Sequence, residues 1–446
     1  MEINNIIEQI QSVAPVRLVG SVVRTEGTTI SAVGFPAPIG AIARVERRDE
    51  EGDLLAEVIG FRDDLTLLYS YSELTGVRRG AKIELAKTTP WLPVGDELLG
   101  RVVDAFGRTI DAGPTPILTS RARFDRKPPE PCSRPRIEKA LSTGVRAIDA
   151  LFTCGQGQRL GIFAGSGVGK SVTLGMMTRY TDADVVVVGL IGERGREVND
   201  FIERELGEEG RKKSVVVVST SNEPPLMRVR AALAAISIAE YFRDRGKNVL
   251  FLMDSLTRFA MARREIGLAA GEPPTSRGYT PSVFAELPRL VERAGRSDVG
   301  SVTAFFTVLV EGDDKQDPIG DAARGLLDGH IWLSRKLSSR GYYPAIDPLE
   351  SVSRLAPTIC APEHWRLAND VRRTLGIYAD AEDLIAVGAY REGASPEIDR
   401  AIRLKPKIDR FLQQQMFERS SFDETLTGLR AIFAEEGGGA KRVEAE

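Results

Sequence analysis

The chain has 446 residues, 42% hydrophobic and 28% charged, with a formal net charge of -3. That length asks for two or three domains of a water-soluble globular protein, and the near-cancelling charge argues against a nucleic-acid binder. Three scattered cysteines (Cys132, Cys154, Cys360) and two histidines (His330, His364) make no metal cluster and fit a reducing cytoplasm.

The opening "MEINNIIEQIQSV" lacks a basic n-region and a continuous apolar h-region, and no stretch reaches ~18 uninterrupted apolar residues. Neither secretion nor a membrane span is expected. Ile3, Ile6, Ile7 and Ile10 fall at helical spacing, and two readings stand: a helix folded back on its own domain, or one that docks a partner. From Val16 to about Lys87 the runs "VRLVGSVV", "IGAIARVER", "LLAEVIGF" and "AKIELAK" alternate with Gly, Asp and Glu turns, the spacing of a small β-barrel.

Beyond "TTPWLPVG" the runs "VVVVGLIGE", "SVVVVST", "VLFLMD" and "SVTAFFTVLVEGD" alternate with helical segments. Strands apolar on both faces belong in a mostly parallel sheet covered by helices, an α/β fold. One covering helix is "MRVRAALAAISIAEYFRDRG", expected to end at Gly246. After His364 only amphipathic helices are expected, and the Gly-rich, charged ending reads as a disordered tail. The expected divisions are 1–88, 89–365, 366–435 and 436–446.

Between the strand "RLGIF" and the helix "KSVTLGMMTRY" lies "AGSGVGKS", formed by Ala164, Gly165, Ser166, Gly167, Val168, Gly169, Lys170 and Ser171. Its glycines let successive backbone N–H groups turn toward phosphate oxygens. Lys170 adds charge for the β and γ phosphates, Ser171 a hydroxyl for Mg²⁺, and the helix N-terminus its dipole. Ala164 stands where the general pattern has Gly.

Hydrolysis needs further parts. Asp254 closes the strand "VLFLMD", where it either holds Mg²⁺ or caps the following helix. Glu193, past another buried strand with Arg194 beside it, either polarises water while the arginine stabilises phosphoryl charge, or forms with it a surface ion pair at a strand end. Asp313 and Asp314 either lie behind the Mg²⁺ ligands or cap a helix, and "GEPPTSRGYTPSVF" reads as a loop.

The segments "GVRAIDALFTCGQGQRLGIFAGSGVGKS", "GERGREV", "FLMDSLTRFA" and "YYPAIDPLESVSR" together resemble the catalytic subunits of the F-type and V-type rotary ATPases. "GEPPTSRGYTPSVFAELPRLVERAG" and "REGASPEIDRAI...ERSSFDETL" look like the type III secretion branch, above all its flagellar export ATPases. The resemblance implies an N-terminal β-barrel, a RecA-like P-loop core and a C-terminal helical domain, assembled as a homohexamer with nucleotide sites between subunits. It implies ATP as substrate and Mg²⁺ as cofactor. Glu193 matches the family's catalytic carboxylate, and Arg194 and Arg258 match arginines near the γ phosphate. Tyr343 matches the aromatic that stacks on adenine, and Arg354 the finger given to the neighbouring subunit. The proline-bearing loop then faces the ring's central channel.

The resemblance further implies a stator or regulator at the N-terminal helix, a central stalk, an export gate and chaperone–substrate complexes as partners, with no nucleic acid. The expected location is cytoplasmic, peripheral to the inner membrane at the export apparatus. An injectisome ATPase is the second reading. An ATP synthase subunit is disfavoured by the export-type segments, a non-catalytic ring subunit by the presence of Glu193, and an RNA-translocating hexamer by the near-neutral charge.

Overall fold

The computed structural model describes residues 17–48, 52–88, 91–310 and 317–434. The isoleucines of the amphipathic N-terminal stretch, the tail, and Asp313 and Asp314 lie outside them.

Six strands, β1 (Val19–Glu26), β2 (Thr29–Val33), β3 (Ile42–Val45), β4 (Leu54–Arg62), β5 (Leu65–Ser70) and β6 (Lys82–Lys87), close into a barrel in the order β1-β2-β5-β4-β3-β6. All its pairings are antiparallel. Alternation sends Ile30, Leu68 and Ile83 inward, each fully buried, and closure leaves no open edge.

The second unit is a nine-stranded sheet. Its central order is Gly329–Leu333, Arg159–Ala164, Ser301–Leu309, Asn248–Asp254, Val185–Glu193, Ser214–Thr220, and these neighbours pair in parallel. Among the described strands only two short ones, Val352–Ser353 and Gly295–Arg296, run antiparallel to it. Val185 to Val188 are all buried, as a strand covered on both faces requires. The Ala-rich helix Pro225–Arg243 packs closely there: a side chain on Gly189 would come within 3.2 Å of Ala235 Cβ.

That helix starts two residues before the expected Met227 and ends before Gly246, which instead closes a turn with its N–H on the Arg243 carbonyl at φ +82°. The last four residues of the segment expected as a loop are helical, because Pro281 opens Pro281–Val291 as its first residue. Helix Pro318–Leu326 is capped by Asp317, whose Oδ1 accepts from Ile319 and Gly320 N–H.

Three helices, Pro362–Ala386, Pro396–Leu412 and Phe422–Phe433, finish the described chain, the first beginning four residues before the expected 366. No described helix is long and apolar enough to cross a membrane. Barrel and sheet unit are joined by Arg230, whose guanidinium lies 4.1 Å from the Phe124 ring centroid and 4.6 Å from that of Phe106. Its Nη1 donates to Tyr71 Oη at 3.2 Å, and that hydroxyl bonds Glu57 on β4.

Candidate active site

The carboxyl ends of the parallel strands open on a cavity of about 660 Å³ lined by Ala164, Gly165, Ser166, Gly167, Gly169, Lys170 and Ser171. This is where an open α/β sheet binds ligands. Val168 is buried in the core, 2% exposed, and is absent from the cavity wall. Gly169 caps helix Lys170–Tyr180 at φ +89°, in the left-handed region that a side chain disfavours.

Lys170 Nζ stands 2.6 Å from Asp254 Oδ1 and 3.4 Å from Glu193 Oε1. Burial alone would lower its pKa, but the two carboxylates hold it above the ordinary lysine value. Asp254 is 3% exposed, and its Oδ1 also accepts from Thr307 Oγ1 at 2.7 Å. The helix after it is capped by Ser255, which accepts from Arg258 N–H, so the capping reading of Asp254 is corrected. Asp254 sits behind Lys170 and is absent from the cavity wall.

Glu193 does line the cavity. Pairing with the strand Ser214–Thr220 slips between Ile191 and Glu193, and Gly192 sits at φ +74° between them. A side chain on Gly192 would meet Arg258 Cβ at 3.1 Å, so this turn brings Glu193 and Arg258 to one wall. Burial, then the nearby Asp254 charge, raise the Glu193 pKa to about 7 against the pull of Lys170. Arg258 Nε is buried with no acceptor among the described residues. Arg194 stands at the rim, its side chain 80% exposed and 3.8 Å from Glu197.

Tyr343 lines a contiguous cavity of about 450 Å³ with Gly167, Gly169, Val172, Met176 and Gln413 to Met416. Its ring passes 3.4 Å from where a Gly169 side chain would begin, whereas burial of the neighbouring Tyr342 raises that hydroxyl's pKa. Buried Gln414 anchors the far wall: its Oε1 accepts from Arg146 N–H at 2.8 Å and its Nε2 donates to the Gly144 and Glu418 carbonyls. Arg354 borders neither cavity; it is exposed, its Nη2 donating to the Arg324 carbonyl.

Ser171 Oγ, Glu193 and, behind them, Asp254 are hard oxygen donors, which suits Mg²⁺ held by one or two protein groups, waters and phosphates. No described group of three or more His, Cys, Asp or Glu gathers as a dedicated metal cage. Sequence reasoning missed Thr307, Arg335 and the Gln413 to Met416 wall, none of which carries a local motif.

Geometry of this kind defines a P-loop nucleotide-binding site with the acidic side chain of Glu193 on its wall. Family models match in three places: the ATP synthase alpha/beta family beta-barrel domain over residues 22–85, its nucleotide-binding domain over 144–353, and the T3SS EscN ATPase C-terminal domain over 360–431. The chain belongs to the ATP synthase alpha/beta family and is an ATPase of its type III secretion branch.

It is 47% identical to the "Flagellum-specific ATP synthase" of Bacillus subtilis (strain 168), over 98% of this chain and 100% of that one. It is 46% identical to the "Type 3 secretion system ATPase" of Xanthomonas euvesicatoria, over 95% and 96%. Among solved structures it resembles the assembled ATPase EscN of the enteropathogenic E. coli type III secretion system, with a TM-score of 0.88, 44% identity, and 93% and 99% of the chains covered. EscN in complex with its central stalk EscO matches with a TM-score of 0.86 at 43% identity over the same shares.

Proposed function

We propose that the chain works as a homohexameric ring that hydrolyses ATP to energise type III export of flagellar components. The observation that carries this reading is the convergence of Lys170, Glu193 and Arg258 on one cavity that the P-loop lines, with Asp254 behind. Glu193 accepts a proton from the attacking water, and Lys170, Arg194 and Arg258 balance the charge that develops on the γ phosphoryl group. Arg354 acts on the neighbouring subunit's nucleotide, a role its distance from its own cavity supports. Tyr343 stacks on adenine. Ser171 and, through water, Asp254 hold Mg²⁺, which when bound neutralises phosphate charge.

The assembled state of EscN supports the ring, and its complex with EscO supports a central stalk partner here. Stator, export gate and chaperone–substrate complexes, at the cytoplasmic side of the membrane, complete the set of proposed partners. The flagellar choice rests on relatives named flagellum-specific at 46% to 51% identity, ahead of the 46% to 48% of the secretion-system relatives. Co-purification of the tagged chain from its host tests it: flagellar export proteins are expected, and injectisome proteins alone would overturn the flagellar assignment.

A further inference from the structure

The P-loop strand Arg159–Ala164 has different company on its two sides. One side leads through Ser301–Leu309 to the strands ending in Asp254 and Glu193. The other side is the strand Gly329–Leu333, which pairs Leu333 with Ala164 in parallel register. Chain continuity therefore brings Ser334 and Arg335 out beside Gly165, at the same end of the sheet. Arg335 lines the phosphate cavity, together with Leu309 and Val310, across from Glu193.

Like Arg258, whose Nε has no acceptor among the described residues, Arg335 stands unengaged among the cations there. Lys170 is engaged by Asp254 and Glu193, and Arg194 has Glu197 near it. Arg335 pairs with no acceptor in the described structure. Eight residues further along the same segment is Tyr343, whose Oη donates back to the Ser338 carbonyl at 3.3 Å. One short stretch of chain thus presents a cation to the phosphate cavity and an aromatic ring to the neighbouring one.

We propose that Arg335 is a polyphosphate-binding residue, donating to non-bridging oxygens of the nucleotide from the side opposite Glu193. A guanidinium suits this task because it is always charged and its planar fork matches phosphate oxygens. It stands away from the proposed water-activating carboxylate, so its contact is made in the bound ground state and persists to the transition state. Loss of such a contact appears mainly in KM rather than kcat. The inference rests on the proposed nucleotide chemistry of this site, and it fails separately from it.

The test is equilibrium binding of ATP, ADP and AMP to the full-length wild type, Arg335→Ala and Arg335→Lys, with kcat and KM for ATP. Removing one charge-assisted contact is expected to weaken ATP and ADP by about 10-fold. AMP, which lacks the outer phosphates, should change by less than about 2-fold, and KM should rise far more than kcat falls. Arg335→Lys should recover part of the affinity, since it keeps the charge but not the fork. Unchanged ATP affinity in Arg335→Ala, an equal loss for AMP, or a fall confined to kcat would each overturn the assignment. Failure of the wild type itself to bind ATP would instead overturn the nucleotide reading of the whole site.

Discussion

Lys170 Nζ lies 2.6 Å from Asp254 Oδ1, so the P-loop cation is held by the very carboxylate that closes the strand Asn248–Asp254. Glu193, at 3.4 Å, shares the same ammonium. This cluster sets two carboxyl groups around one ammonium before nucleotide arrives. Asp254→Asn should therefore cost activity twice, by weakening the hold on Mg²⁺ and by removing the anchor of Lys170. The expected result is a raised Mg²⁺ requirement for ATP turnover, read from a magnesium titration. An unchanged requirement would remove Asp254 from the proposed metal site.

The raised pKa of Glu193 gives a pH signature. A general base works ionised, so kcat/KM should climb with pH below about 7 and level off above it. The linked stability effect falls in the window between the unfolded and folded pKa values. Folded Glu193 binds its proton more tightly than in the unfolded chain, so the stability it confers is full below about 4.5 and is lost as pH rises through about 7. Glu193→Gln should thus raise the thermal midpoint more at pH 8 than at pH 5. An equal change at both would contradict the shifted carboxyl.

Arg354→Ala should leave nucleotide affinity of dilute monomer almost unchanged. In the assembled ring it should lower turnover by on the order of 10³-fold, the scale of an arginine supplied in trans. Turnover measured against protein concentration decides this: an equal loss at every concentration would sink the trans role.

Away from the site, Arg293 and Glu240 form a buried ion pair, with Arg293 Nη2 2.6 Å from Glu240 Oε2. The remaining guanidinium donors reach the Phe124 carbonyl and Ser237 Oγ. Glu240→Ala strands a buried cation and should cost about 3–5 kcal/mol. A lowered thermal midpoint with the barrel still folded is expected, and an unchanged midpoint would contradict it.

Much of this was legible in the sequence, for identifiable reasons. The P-loop and the strands ending in Glu193 and Asp254 are local patterns, in which apolar runs and punctuating residues lie next to each other in the chain. The barrel showed itself through alternation and turn spacing. Tyr343 and Arg354 carry no local signal and came only through resemblance to a family. Thr307, Arg335 and Gln414 stayed hidden because each reaches the site from a distant segment through sheet register or helix docking. Arg230 did leave a trace, an arginine in the otherwise apolar "VRAALAAI", but its aromatic partners Phe106 and Phe124 lie more than a hundred residues upstream.

The central claim is that Glu193 activates the water in a site that Lys170 and the P-loop build for ATP. Its most direct test is Glu193→Gln in the assembled protein, with ATP binding and phosphate release measured on the same sample. The account predicts ATP affinity within a few-fold of wild type and turnover reduced by about 10²-fold or more. Turnover near the wild-type rate with binding intact would contradict it.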